Sequence, residues 1–141
     1  MSERKTMHSR DMASGTFGAE VRFTCELPRE RFVDIMSNLL YSVAKGIDAT
    51  PHAMLGHAKL FAEVDRGFLK QSVVDPRLGV ETIDEMKVDV VTRGRLKLMA
   101  VAVGTDDAMV ERIVDAELDR LSGLMRCEVI GHDHDHERHH H

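Results

Sequence analysis

An α+β fold, a two-layer sandwich with an antiparallel sheet and two helices on one of its faces, is what this chain of 141 residues predicts. Three observations carry it. Glu20 to Leu27 alternates polar and apolar residues, with Val21, Phe23, Cys25 and Leu27 on one side, the period-two mark of a half-buried strand. Two later stretches repeat apolar residues at helical spacing. Between them lie short alternating runs separated by glycine-containing turns, the mark of hairpins.

The elements follow in order. Residues 1–17 are polar, unpatterned and interrupted by Ser14-Gly15, and are expected to form a flexible arm. The strand from Glu20 leads into Pro28, whose fixed φ and missing N–H suit the start of a helix. Phe32, Ile35, Met36, Leu39, Leu40 and Val43 form that helix's apolar stripe, and Gly46 is expected to stop it. Strands over about 57–64 and 68–74 turn at Asp65-Arg66-Gly67. A second hairpin is expected from strands over 86–92 and 95–103 about Arg93-Gly94. Thr105 is the expected N-cap of the second helix, with Asp106 and Asp107 at the positive end of its dipole. Its stripe is Met109, Val110, Ile113, Val114 and Leu121. A last strand covers 124–130. The order β-α-β-β-(β-β)-α-β is ferredoxin-like with an added hairpin. One domain is expected over 18–131, followed by a tail over 132–141.

In that arrangement Leu96, Leu98, Ala100 and Ala102 face the helices. Val91, Met99, Val101 and Val103 fall on the open face of the sheet. So many apolar groups on an open face predict a homodimer built through it.

Composition excludes several classes. The net charge is −5, and only five Phe and one Tyr are present, so the basic and aromatic footprint of a nucleic-acid binder is missing. No stretch approaches the ~20 apolar residues of a membrane span, and no apolar run of signal-peptide length opens the chain. Cys25 and Cys127 form neither a CxxC nor a disulfide framework, and first and last strands side by side would make them buried neighbours acting as small apolar groups. A reduced, cytoplasmic protein is expected.

The chemistry concentrates at the C-terminus, where His132, His134, His136, His139, His140 and His141 are six of the nine histidines. An extended chain puts His132, His134 and His136 on one side, and Asp133 and Asp135 on the other. Neutral imidazoles suit Ni(II), Zn(II) or Co(II), and the carboxylates add oxygen donors. His52 and His57, spaced H-x4-H in the loop after the first helix, could complete the site. The expected function is therefore transition-metal binding by the tail, for buffering or for delivery to a client protein. A tail of this kind can also be a dispensable solubilising extension or an added purification sequence, although its Asp, Glu and Arg are unlike a designed six-histidine tag.

The other expectation is a homodimeric small-molecule-binding or regulatory domain with an incidental tail and an apolar pocket near His52 and His57. An enzyme using His57 or Cys25 is a third. Elsewhere no catalytic set stands out. Asp106 and Asp107 would repel a phosphate from the Gly104-Thr105 junction. Asp65, Asp75, Glu81, Asp84 and Glu85 are charges at turns, and the methionines are scattered as core filler.

Metal capture by the tail predicts that Ni(II) or Zn(II) titrates into the full chain at pH 7.5 but not into a chain ending at residue 131. The heat should vanish at pH 5.5, as imidazoles protonate near ~6.5. Equal binding by both chains would place the metal elsewhere.

Overall fold

A computed structural model describes residues 13–133. It is an α+β protein in which a six-stranded antiparallel sheet carries two helices. The elements are β1 (Ser14–Pro28), α1 (Arg29–Asp48), β2 (Met54–Val64), β3 (Phe68–Val73), a 3-10 turn (Pro76–Leu78), β4 (Glu81–Asp84), β5 (Val90–Val103), α2 (Asp107–Leu121) and β6 (Arg126–Asp133). The strands lie side by side as β4-β3-β2-β5-β1-β6, and every neighbouring pair is antiparallel.

The helices form because each has an apolar stripe to bury. Phe32, Ile35, Met36, Leu39, Leu40, Val43, Ala44 and Ile47 are the buried side of α1; Val110, Val114, Leu118 and Leu121 are that of α2. They meet Phe17, Ala19, Val21 and Phe23 of β1, Leu60 and Ala62 of β2, and Leu96, Leu98, Ala100 and Ala102 of β5 in one core. The rings of Phe23 and Phe32 stack across the layers at 5.3 Å. Burial at alternate strand positions is what a sheet covered on one face requires.

Several expectations are corrected. The second hairpin does not exist: β5 runs unbroken from Val90 to Val103 straight through Arg93-Gly94, and the strand before it is β4, paired to β3. A Cβ on Gly94 would collide with the Glu63 carbonyl oxygen and lie 2.8 Å from the Phe23 ring. The glycine therefore permits close approach at a central strand crossing instead of marking a turn. A register shift between Thr24 and Leu27 of β1 sits beside it, and Val91, expected on the open face, is instead buried in the core.

Gly46 does not stop α1, which continues to Asp48. A Cβ there would meet Ile113 Cγ2 at 3.0 Å, so the glycine makes room for Ile113 of the second helix. Asp106, not Thr105, caps α2, accepting from the Met109 N–H at 2.9 Å. The neighbouring Asp107 accepts from the Thr16 N–H at 2.8 Å, and the Gly104 N–H donates to the Ala13 carbonyl at 2.7 Å. These bonds explain why β1 starts at Ser14, inside the segment expected to be an arm. At the other end, β6 takes in His132 and Asp133 of the expected tail by pairing them with Ala19 and Gly18.

β4 has no buried residue of its own and is held by polar bonds. Gln71, the one buried polar side chain among the described residues, donates from Nε2 to Ser37 Oγ on α1 at 2.6 Å and to Thr82 Oγ1 on β4 at 3.2 Å. Arg29 at the head of α1 reaches Asp84 at 3.7 Å and the Met86 carbonyl at 3.0 Å. The outer pair of strands is thus tied to the helix layer and widens the sheet by two strands.

Gly94→Ala should destabilise the protein by about 1–3 kcal/mol through overpacking at this crossing. Gly131→Ala, whose added carbon meets only Glu20 Cβ at an ordinary 3.9 Å, should change stability by less than about 0.5 kcal/mol. Urea midpoints at constant slope read both; equal midpoints would remove Gly94 from its assigned role.

Candidate functional site

Of the expected tail ligands, His134, His136, His139, His140 and His141, with Asp135, lie outside the described residues. His132 is an exposed residue of the edge strand β6, and its ring meets the buried Phe17 edge-on at 5.3 Å. The accessory pair falls on different elements. His52 occupies the turn before β2 with φ +68°, while His57 stands in β2, half-buried, opposite Val101. Burial first, and the Lys59 charge second, hold the His57 pKa below the usual imidazole value. Its neutral form is favoured by folding, so the stability it contributes is present above the ordinary imidazole pKa and lost as pH falls through the lowered one. No group of three metal-ligating side chains gathers among the described residues.

The acidic turn residues are taken up by ion pairs. Asp65 meets Arg93 at 3.3 Å, Asp75 meets Arg77 at 2.8 Å and Glu85 meets Lys87 at 3.6 Å. Glu81 and Asp84, also read as turn charges, lie instead in strand β4.

Cys25 and Cys127 lie on adjacent strands, half-buried against the core, with Cys127 opposite Phe23. Cys25 Sγ donates to the Val91 carbonyl at 3.3 Å. Desolvation raises both thiol pKa values, and Cys127 raises that of Cys25 further, so the two sulfurs sense one another.

One further feature was not disclosed by the sequence. The open face of the sheet is concave, a trough of about 1070 Å³ whose rim and base draw on all six strands. Register builds it in two rows. In the first, Glu20, Lys97, Phe61, Lys70 and Ile83 are successive cross-strand partners over β1, β5, β2, β3 and β4. In the second, Gly18, Met99, Lys59, Ser72 and Glu81 follow the same path. Cationic and apolar side chains therefore interleave. Phe61 has Lys97 and Lys70 on either side and Lys59 two residues along its own strand. Directly opposed residues have Cβ atoms only about 5 Å apart, so Lys97 and Lys70 flank the phenyl ring, with Lys59 farther along the strand on the same face. That ring also stacks on Phe68, centroids 5.4 Å apart.

The charges in the trough are unbalanced. Glu20, the cross-strand partner of Lys97, pairs instead with Arg95 at 3.4 Å. Arg22, on the same face, pairs with Glu128 at 3.3 Å. Lys59, Lys70 and Lys97 hold no ion pair among the described residues. The small Gly18 and Ser72 leave the hollow open beside them. Chemically, such a surface can accept an apolar body against Phe61, Ile83 and Met99 while offering charge to an anion.

Neither His52 nor His57 lines this trough, and lysines occupy the middle of the open face. Its one sequence signal was a lysine two positions from an apolar residue in K-L-F and K-L-M, with a third lysine in β3. Only strand register joins them.

The thiols predict a reactivity. At pH 7 iodoacetamide should alkylate Cys25 and Cys127 more slowly than it does the urea-unfolded chain, with rates rising only above the ordinary thiol pKa. Because folding favours the neutral thiols, their contribution to stability is present below that value and is lost as pH rises through the raised one. Alkylation at pH 7 as fast as in the unfolded chain would contradict the burial described.

Comparison with models of known protein families finds no match, and no curated protein matches. Among solved structures, a hydantoinase/carbamoylase family amidase from Burkholderia ambifaria is similar at 13% identity with a TM-score of 0.40. The match covers 89% of this chain and 28% of the amidase chain, so this chain spans little more than a quarter of that protein's length.

Proposed function

We propose that this chain is a small-molecule-binding domain whose ligand lies in the trough on the open face of the sheet. The observation that carries this reading is the interleaving of Lys59, Lys70 and Lys97 with Phe61, Ile83 and Met99 around a hollow of about 1070 Å³. Ligand sites are concave, mainly apolar and furnished with a few convergent polar groups, with volumes up to about 1,000 Å³. A small molecule suits this surface better than a second copy of the chain. Two troughs set face to face would bring six lysines together, and lysine is depleted from the cores of protein interfaces.

The architecture supports the same assignment. We read β1-α1-β2-β5-α2-β6, in the spatial order β6-β1-β5-β2, as a ferredoxin-like core to which β3 and β4 are added at the β2 edge. The added strands supply Lys70, Ser72, Glu81 and Ile83, one whole side of the trough. Without them the face would end at Phe61 and Lys59. The widening of the sheet and the making of a site are, on this reading, the same event.

The test is a titration of 15N-labelled protein with the neutral dye N-phenyl-1-naphthylamine. Amide shifts should change at Lys59, Phe61, Lys70, Ile83, Lys97 and Met99, and Phe61→Ser should weaken binding by about fivefold or more, the loss expected for an aromatic contact. Shifts confined to the crevice between α1 and α2, or none at saturating dye, would refute the assignment.

A further inference from the structure

We infer that the ligand of this trough is a soluble amphiphilic anion, an aryl or alkyl body bearing a carboxylate, sulfonate or phosphate group; the inference rests on the trough being the ligand site. Three features of the charge arrangement lead there. Lys59, Lys70 and Lys97 lie beside Phe61 on the same face of the sheet, without a carboxylate of the chain in ion-pair contact among the described residues. The nearest acid in the row, Glu20, is turned to Arg95. Like charges held together on a concave surface repel, and the surface focuses their field inward, so an incoming anion relieves a strain that water and salt only screen.

The apolar part follows from what lies between the lysines. A phosphate or sulfate alone would leave the phenyl ring of Phe61, the half-exposed Ile83 and the Met99 side chain facing water. An aryl or alkyl body covers them, and lysine stems can lie along it while their ammonium groups reach the acid. The hollow is bounded at one end by Glu81 on β4 and at the other by Glu20 on β1, so the positive region is short. A ligand carrying one or two charges fits it.

A polyanion does not fit. The chain as a whole is at −5, and Glu63 and Glu128 lie in the next row of the same face, alongside Arg22 and Arg95. An extended nucleic acid would run onto those carboxylates, and its binding needs a broad basic footprint. A flat bilayer would meet the rim and leave the hollow unfilled.

The experiment uses two dyes that differ in one sulfonate: 8-anilinonaphthalene-1-sulfonate and the neutral N-phenyl-1-naphthylamine, each titrated into the full chain by fluorescence. The anionic dye should bind the native chain about tenfold more tightly, the gain expected from a few partly screened charges. The exposed triple variant K59Q/K70Q/K97Q should lose that advantage and bind the two dyes about equally, and K59R/K70R/K97R should keep it. Circular dichroism of each variant confirms the native sheet.

Equal affinity for both dyes in the native chain, or an anion preference that survives in the glutamine variant, overturns the inference and leaves the trough as a neutral-ligand site. Binding of neither dye overturns the inference and the proposed function together. Binding of a single-stranded oligoribonucleotide more tightly than the sulfonated dye overturns it in favour of a polyanion.

Discussion

The close passage of β5 between β1 and β2 is the constraint on which the rest of the structure depends. At Gly94 the Glu63 carbonyl and the Phe23 ring come so near that no side chain can be accommodated. The passage lets one 14-residue strand serve as the spine of the sheet, paired with β1 along its length and with β2 from Gly94 to Val103. Every later feature inherits its register. Leu96, Leu98, Ala100 and Ala102 are aimed at the helices, and Lys97 and Met99 are consequently aimed away. The core and the trough are two faces of one alternation, and a slip of one residue would exchange them.

On that spine the helix layer and the sheet extension reinforce each other. α1 buries eight residues, and its outer rim carries Ser37 and Arg29, which reach Gln71, Asp84 and the Met86 carbonyl. β4 has no apolar residue in the core, so its place depends on ladder hydrogen bonds and on these polar ties. Gln71 Oε1 is left without a partner even so. A buried amide with one unsatisfied oxygen costs stability, and the residue is held because its other end joins three elements. The trough's far wall thus stands on polar interactions, whereas its base stands on the hydrophobic core. A ligand spanning both would join the less firmly held part of the sheet to the more firmly held part.

The two ends of the described chain are also settled by unpaired backbone. Among the described residues β6 pairs with β1 as far as Gly18, and beyond it the Thr16 N–H donates to Asp107 at the head of α2. A carboxylate that looks in the sequence like a dipole partner is thus also a clamp on the first strand. His132, which looks like the first ligand of a tail, is a strand residue packed on Phe17. In both cases the residue type was informative, and its partner lay about a hundred residues away.

Local pattern determined much of this protein by itself. The alternation of Glu20–Leu27, the two amphipathic helices, the Asp65-Arg66-Gly67 hairpin and the helix-facing set Leu96, Leu98, Ala100 and Ala102 were all legible, because each depends on periodicity within one element. The α+β class followed from them, whereas β4 did not, and two expected strands proved to be the single strand β5. Long-range contact decided what periodicity does not contain. Arg93-Gly94 has the composition of a turn, yet crowding from β1 and β2 makes it strand; Gly46 has the composition of a helix stop, yet Ile113 makes it a point of close approach. Val91 changed faces through a shift of register in β1. The trough was hidden for the same reason. Lys59, Lys70 and Lys97 lie in three separate strands, each unremarkable as an outward lysine, and only the hydrogen-bonded order of those strands gathers them around Phe61.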